Sequence, residues 1–225
     1  MVKKLFDNRY FIIIILPFLI GSLSVLSFQP YNFTIINFLI FPAFFYIIVF
    51  ISKKSQSVYR KKPFKINLFT FGLFFGFGFY LSGVSWIVHS LTFDDNFKIL
   101  IPFGLIFIPL FLSLFIAIPV LLIGPNLSLN FSSLILFSGA LAFSDYLRAN
   151  LLTGFPWNLW AYSTSWMIEI LQVLNHIGLY AYNLIVVTLF TLPVIFFFKL
   201  SLIKKLLSLF VSTLFILSLY IYGNY

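Results

Sequence analysis

"ILIPFGLIFIPLFLSLFIAIPVLLI", Ile99–Ile123, runs without one charged side chain and without the alternation of a barrel strand. An α-helix rises ~1.5 Å per residue, so about 20 apolar residues cover the ~30 Å hydrocarbon core of a bilayer. This stretch is long enough. Pro102, Pro109 and Pro119 lie within it. They predict kinks whose freed carbonyls are satisfied by neighbouring helices or by local readjustment.

Six more hydrophobic segments flank it, at about 11–28, 33–51, 66–90, 131–149, 170–198 and 206–222. The first follows basic residues as a signal peptide would, but it is longer than the ~7–15 residues of a signal core, so it reads as an uncleaved span. Hydrophobic residues make up 62% of the chain and charged residues 8%, which no soluble domain of 225 residues could bury. The expected fold is an all-α polytopic membrane protein of seven helices, forming a single transmembrane domain over residues 1–225.

The net charge of +9 does not point to nucleic acid, because the basic residues cluster between hydrophobic runs. Lys3, Lys4 and Arg9 precede the first span. Lys53, Lys54, Arg60, Lys61, Lys62 and Lys65 follow the second. Lys199, Lys204 and Lys205 lie before the last. With seven spans these clusters share one face. The positive-inside rule makes that face cytoplasmic, with the N-terminus inside and the C-terminus outside. Lys98 and Arg148 are the exceptions, and "TGFPWNLWAYS", Thr153–Ser163, falls on the outer side with them.

Few residues can carry chemistry. There is no cysteine, which excludes disulfides, thiolate metal sites and a cysteine nucleophile. Glu169 and His176, seven apart, lack a third ligand for a metal. His89 reads as a solvated interfacial residue. No cofactor is called for. Gly72 and Gly76, in "FGLFFGFGFYLSG", have the spacing that lets helices approach closely in lipid. Asp145 and Arg148 are neighbours on one helix face. Either they neutralise each other, or Arg148 faces outward and grips a lipid phosphate with its planar fork.

In Thr153–Ser163, Gly154 and Pro156 end the helix. Trp157, Trp160, Tyr162 and Trp166 suit the headgroup level. An aromatic belt alone does not require Gly and Pro there. A structured loop lining a cavity is the preferred reading, because irregular backbone near lipid must be satisfied by protein or water.

"LTGFPWNLWAYS" (Leu152–Ser163) after "DYLR" (Asp145–Arg148) resembles a signature of the bacterial apolipoprotein N-acyltransferases. "LSFQPYNF" (Leu26–Phe33) and "GFGFYLSGVSWIVHS" (Gly76–Ser90) resemble that family's first interspan junction and third span. The resemblance implies a multi-pass protein of the bacterial cytoplasmic (inner) membrane. It implies transfer of a phospholipid acyl chain to the N-terminal diacylglyceryl cysteine of a lipoprotein, through a thioester on a Glu-Lys-Cys triad in a nitrilase-like domain. It makes Arg148, Thr153, Gly154, Phe155, Pro156, Trp157 and Tyr162 the lipid- and substrate-docking residues, with Arg148 on a headgroup phosphate. This chain holds no cysteine, so no triad residue is carried over. The expectation is a membrane portion alone: a fragment, a truncated product, or half of a split enzyme whose partner is a separate nitrilase-like chain. A non-catalytic scaffold and a small transporter subunit are the competing readings. A transporter calls for paired broken helices and midplane polar groups, which the sequence does not display.

Overall fold

A computed structural model describes residues 8–57, 64–151 and 154–224, with the backbone alone at 54–57. Lys3, Lys4, Arg60, Lys61, Lys62 and Thr153 lie outside the described residues, as does the Lys54 side chain. The helices are α1 (Leu16–Ser24), α2 (Asn37–Ser57), α3 (Phe64–Val84), α4 (Ile101–Ile123), α5 (Phe131–Asn150), α6 (Ile168–Leu171), α7 (Leu174–Ile177), α8 (Leu179–Thr191) and α9 (Leu202–Gly223). The protein is an all-α, polytopic membrane protein. Among the described residues, five helices are long and apolar enough to cross a bilayer: Thr34–Lys53, Phe64–Thr92, Asp95–Asn126, Leu179–Phe197 and Leu202–Gly223. Phe11–Ser27 is a shorter apolar helix. Phe131–Asn150 is helical for 20 residues, but its serines, Asp145, Arg148 and Asn150 keep it out of that apolar set.

Prolines shape the ends. Pro17 opens α1, and the turn before it, Phe11–Ile15, widens to a π-helix, since the ring donates no hydrogen bond to the preceding turn. Pro193 follows α8, which tightens into the 3-10 stretch Leu192–Phe197. One expected boundary is corrected. The segment at 170–198 is not continuous, because Gly178 takes φ +76°, ending α7 and starting α8. The apolar crossing helix begins at Leu179.

The described chain divides into two compact units, Met1–Val25 with Phe50–Pro125, and Leu26–Val49 with Asn126–Tyr225. In the first, α3 packs against α1 and α4. Its glycines make this possible. A Cβ on Gly76 would meet the Ser113 Cα at 2.8 Å, and one on Gly72 the Ala117 Cα at 2.9 Å. On the side toward α1, a Cβ on Gly78 would lie 2.2 Å from the Phe18 carbonyl oxygen, and one on Gly21 2.1 Å from that of Phe75. Ser22 Oγ donates to the Gly78 carbonyl at 3.2 Å. Helix association in lipid rests on such close packing rather than on hydrophobic burial.

In the second unit α5 packs against α8. Phe137 of α5 meets Phe44 and Phe45 of α2 edge-on, at ring separations of 5.6 and 5.3 Å. α9 contacts α6, yet none of its side chains is buried. Such exposure suits a helix surrounded by lipid.

Candidate functional site

α5 starts at a capped end, where Asn130 Oδ1 accepts from the Ser133 amide at 2.8 Å. Its buried face carries Leu134, Ser138, Leu141, Asp145 and Arg148, spaced at three and four residues as one helical stripe. Asp145 and Arg148 therefore point inward together. Arg148 is only 2% exposed.

Beyond Asn150 the chain turns out of the helix. Gly154, at φ +71°, makes the turn, and a Cβ there would sit 2.5 Å from the Ala149 carbonyl oxygen. Its amide donates to the Leu151 carbonyl at 2.9 Å, and the Phe155 amide returns to the Arg148 carbonyl at 3.0 Å. Asn158 supplies a second left-handed residue at φ +55°.

The guanidinium of Arg148 holds this loop from beneath. Nη1 donates to the carbonyls of Phe155 at 2.7 Å and Trp157 at 2.6 Å. Nη2 donates to Asp145 Oδ1 at 3.0 Å. Asp145 Oδ2 accepts from Asn183 Nδ2 of α8 at 3.0 Å, and Asn183 Oδ1 accepts from the Ala161 amide at 2.9 Å. One chain of hydrogen bonds thus fixes both ends of the loop, 155–157 and 161, to two helices. In low dielectric these bonds are stronger than in water, and losing one partner strands the other. Of the two geometries that the sequence leaves open for Arg148, the structure contains the ion pair with Asp145.

The loop also has an anchored half and an open half. Trp160 is buried and meets Phe41 edge-on at 4.7 Å. Thr34 Oγ1 donates to the Ser163 carbonyl at 2.5 Å and accepts from Trp166 Nε1 at 2.8 Å. Pro156 and Trp157 are exposed, Trp157 to 51%, and Phe155 and Tyr162 are half-buried. Burial and then Tyr180 push the Tyr162 phenol above its ordinary value, against an opposing pull from Arg148. Tyr162 is thus a neutral hydrogen-bonding group at physiological pH. The structure brings together Arg148, Phe155 and Trp157 by direct bonds, with Gly154 as the turn that allows them. Thr153 lies outside the described residues.

Elsewhere, His89 is exposed in the 3-10 stretch Ser85–Thr92. His176 is exposed and shares a hydrogen bond with the Tyr222 hydroxyl. Among the described residues no three metal-binding side chains cluster. Asn183 and Asn158 are missed by the sequence reading. Asn183 had a signal, as a carboxamide within the apolar run of α8.

Residues 20–192 match the family model described as the apolipoprotein N-acyltransferase N-terminal domain. The chain belongs to the apolipoprotein N-acyltransferase family. An apolipoprotein N-acyltransferase of Rhodopseudomonas palustris is 31% identical over 186 residues, 80% of this chain and 33% of the relative. That of Bradyrhizobium diazoefficiens is 31% identical over 174 residues, covering 77% and 31%. That of Brucella melitensis is 29% identical over 178 residues, covering 78% and 33%. The chain therefore spans about a third of the length of these N-acyltransferases. The matched region contains the whole Arg148 network and its loop.

Proposed function

We propose that this chain forms the membrane domain of an apolipoprotein N-acyltransferase of the bacterial inner membrane, and that the loop Gly154–Ser163 docks its lipid substrates. The observation that carries this is the fixed irregular backbone held by Arg148, with Pro156 and Trp157 presented outward. A belt of interfacial aromatics needs no such scaffold, whereas a surface that positions an ester does. Phe155, Pro156 and Trp157 would form the apolar entrance for acyl chains. Tyr162 would flank it, Gly154 would set the turn, and Thr153 belongs to the same set of proposed docking residues. Arg148 acts through the loop, since its guanidinium is spent on backbone carbonyls and Asp145. The substrates in this reading are a membrane phospholipid and a diacylglyceryl lipoprotein. The thioester step that the family resemblance implies is not carried by these residues, which include no cysteine.

Phe11–Ser27 and Phe131–Asn150 also cross the membrane in this reading. The resulting seven crossings put the basic clusters in the cytoplasm and the loop outside.

The test uses a full-length relative, with Ala placed at the positions matching Arg148 and Trp157. We expect thioester formation to slow in both, by roughly tenfold or more if the loop contributes ~1.4 kcal/mol to the transition state. Wild-type rates in both variants would remove the docking role.

A further inference from the structure

α9 leans on the second unit with one stripe, Leu209, Ser212, Ile216, Leu219 and Gly223, at the three- and four-residue spacing of a helix face. Each member is only half-buried. Behind the stripe lies a cavity of about 590 Å³, lined by Ile216 and Leu219 on one side and by Ile185, Val186 and Leu189 of α8 on the other. The helix is held at its ends instead. At the C-terminal end it meets α6. Gly223 rests there on the Glu169 carbonyl oxygen, which a Cβ would overlap. The Tyr222 hydroxyl shares a hydrogen bond with His176 of α7. At the N-terminal end Lys205 Nζ donates to the Phe196 carbonyl at 2.8 Å. Phe198 and Ser201, both extended at ψ 150°, carry the chain between α8 and α9.

We propose that α9 is a strap, hinged at residues 198–201 and clasped to α6 and α7 by Gly223 and Tyr222, whose release opens the cavity sideways to the bilayer. In lipid, apolar surface gains nothing by exchanging hydrocarbon for protein, so helices are held by close packing and hydrogen bonds. Among the described residues, the side-chain hydrogen bonds that tie α9 to other elements lie at its two ends. No side chain of α9 is buried, and its middle faces a cavity. The free energy of staying closed is therefore concentrated in the clasp. That clasp is exposed at Tyr222 and His176, and one hydrogen bond and one close contact make it reversible. At the other end the non-helical turn can absorb the change in φ and ψ, as hinges at element ends do. The strap needs only the membrane setting and does not depend on the lipid docking proposed above.

The experiment uses the full chain in nanodiscs, with spin labels on pairs of introduced cysteines, and pulsed electron paramagnetic resonance reads the distances. The natural sequence has no thiol to compete. One label replaces Phe143, exposed on α5. The second replaces Leu217, toward the clasp, or Ile203, beside the hinge, both exposed. Tyr222→Phe removes the hydrogen bond, and Gly223→Val forces the close contact apart. Each should raise a second population of Phe143–Leu217 distances several-fold over the otherwise unsubstituted chain, and leave Phe143–Ile203 nearly unchanged. Ile221→Ala, exposed at the same end and outside the clasp, should alter neither pair. Helical circular dichroism identifies any variant that fails to fold, and the two clasp variants act independently. Unchanged Phe143–Leu217 distances in both clasp variants would overturn the strap. So would equal changes at both pairs, since the helix would then leave as a whole, without a hinge.

Discussion

At the scale of single residues, Arg148 decides how the loop is held. A lone Arg at the centre of a membrane helix costs about 2.5–3.5 kcal/mol, and here the cost is offset by Asp145 and two carbonyls. Asp145→Asn leaves a buried uncompensated guanidinium and should cost about 3–5 kcal/mol, read as a lowered Tm in detergent. Asp145→Asn combined with Arg148→Met should cost less than the two single changes summed, because neither charge is then stranded. Additive losses would mean that the pair is not coupled. The loop's left-handed residues separate in a second way. Gly154→Ala meets both an unfavourable φ and the Ala149 carbonyl, and it should cost about 1–3 kcal/mol. Asn158→Gly should be nearly neutral, since glycine adopts the same φ freely. That Asp145 and Arg148 are neighbours is legible from their spacing. What the inward-facing pair binds, Asn183 of α8 and the loop carbonyls, no local pattern reveals.

At the scale of elements, the glycines of α3 illustrate what sequence can and cannot give. The spacing of Gly72 and Gly76 announces a close helix contact, and α4 makes it. That Gly78 serves a second neighbour is not written in the spacing, because it needs Gly21 and Phe18 of α1 to come alongside. Substitution should separate such glycines from incidental ones. Gly78→Ala and Gly76→Val place a Cβ against backbone of an adjacent helix, and each should destabilise by about 1–3 kcal/mol. Gly139 in α5 has nothing within 4 Å of its Cβ direction. Gly139→Ala should therefore be neutral or stabilising by up to about 1 kcal/mol. Thermal unfolding of the three variants in one detergent checks the order. The break at Gly178 escapes sequence reading for the opposite reason. Ile177 and Leu179 on either side are apolar, so the run looks continuous although the backbone reverses its handedness there.

At the scale of the whole molecule, the helices are legible because a bilayer admits few alternatives for an apolar backbone. Sidedness is a matter of charge. Loops rich in Lys and Arg stay in the cytoplasm, where translocating them would be most costly. The proposed arrangement then requires the loop and the end of α9 to share a face, opposite the turn between α8 and α9. A chain without cysteine makes this measurable, since each introduced thiol is the only one. Pro156→Cys and Asn224→Cys, both at exposed positions, should react with a membrane-impermeant maleimide in intact spheroplasts. Ser201→Cys and Lys53→Cys, also exposed, should react only after permeabilisation. Pro156 and Asn224 labelling from opposite sides would require an odd number of crossings between them, against the two that α8 and α9 supply. Should Pro156 itself react only after permeabilisation, the docking surface would face the cytoplasm and the proposed orientation would fail, however well its loop is built.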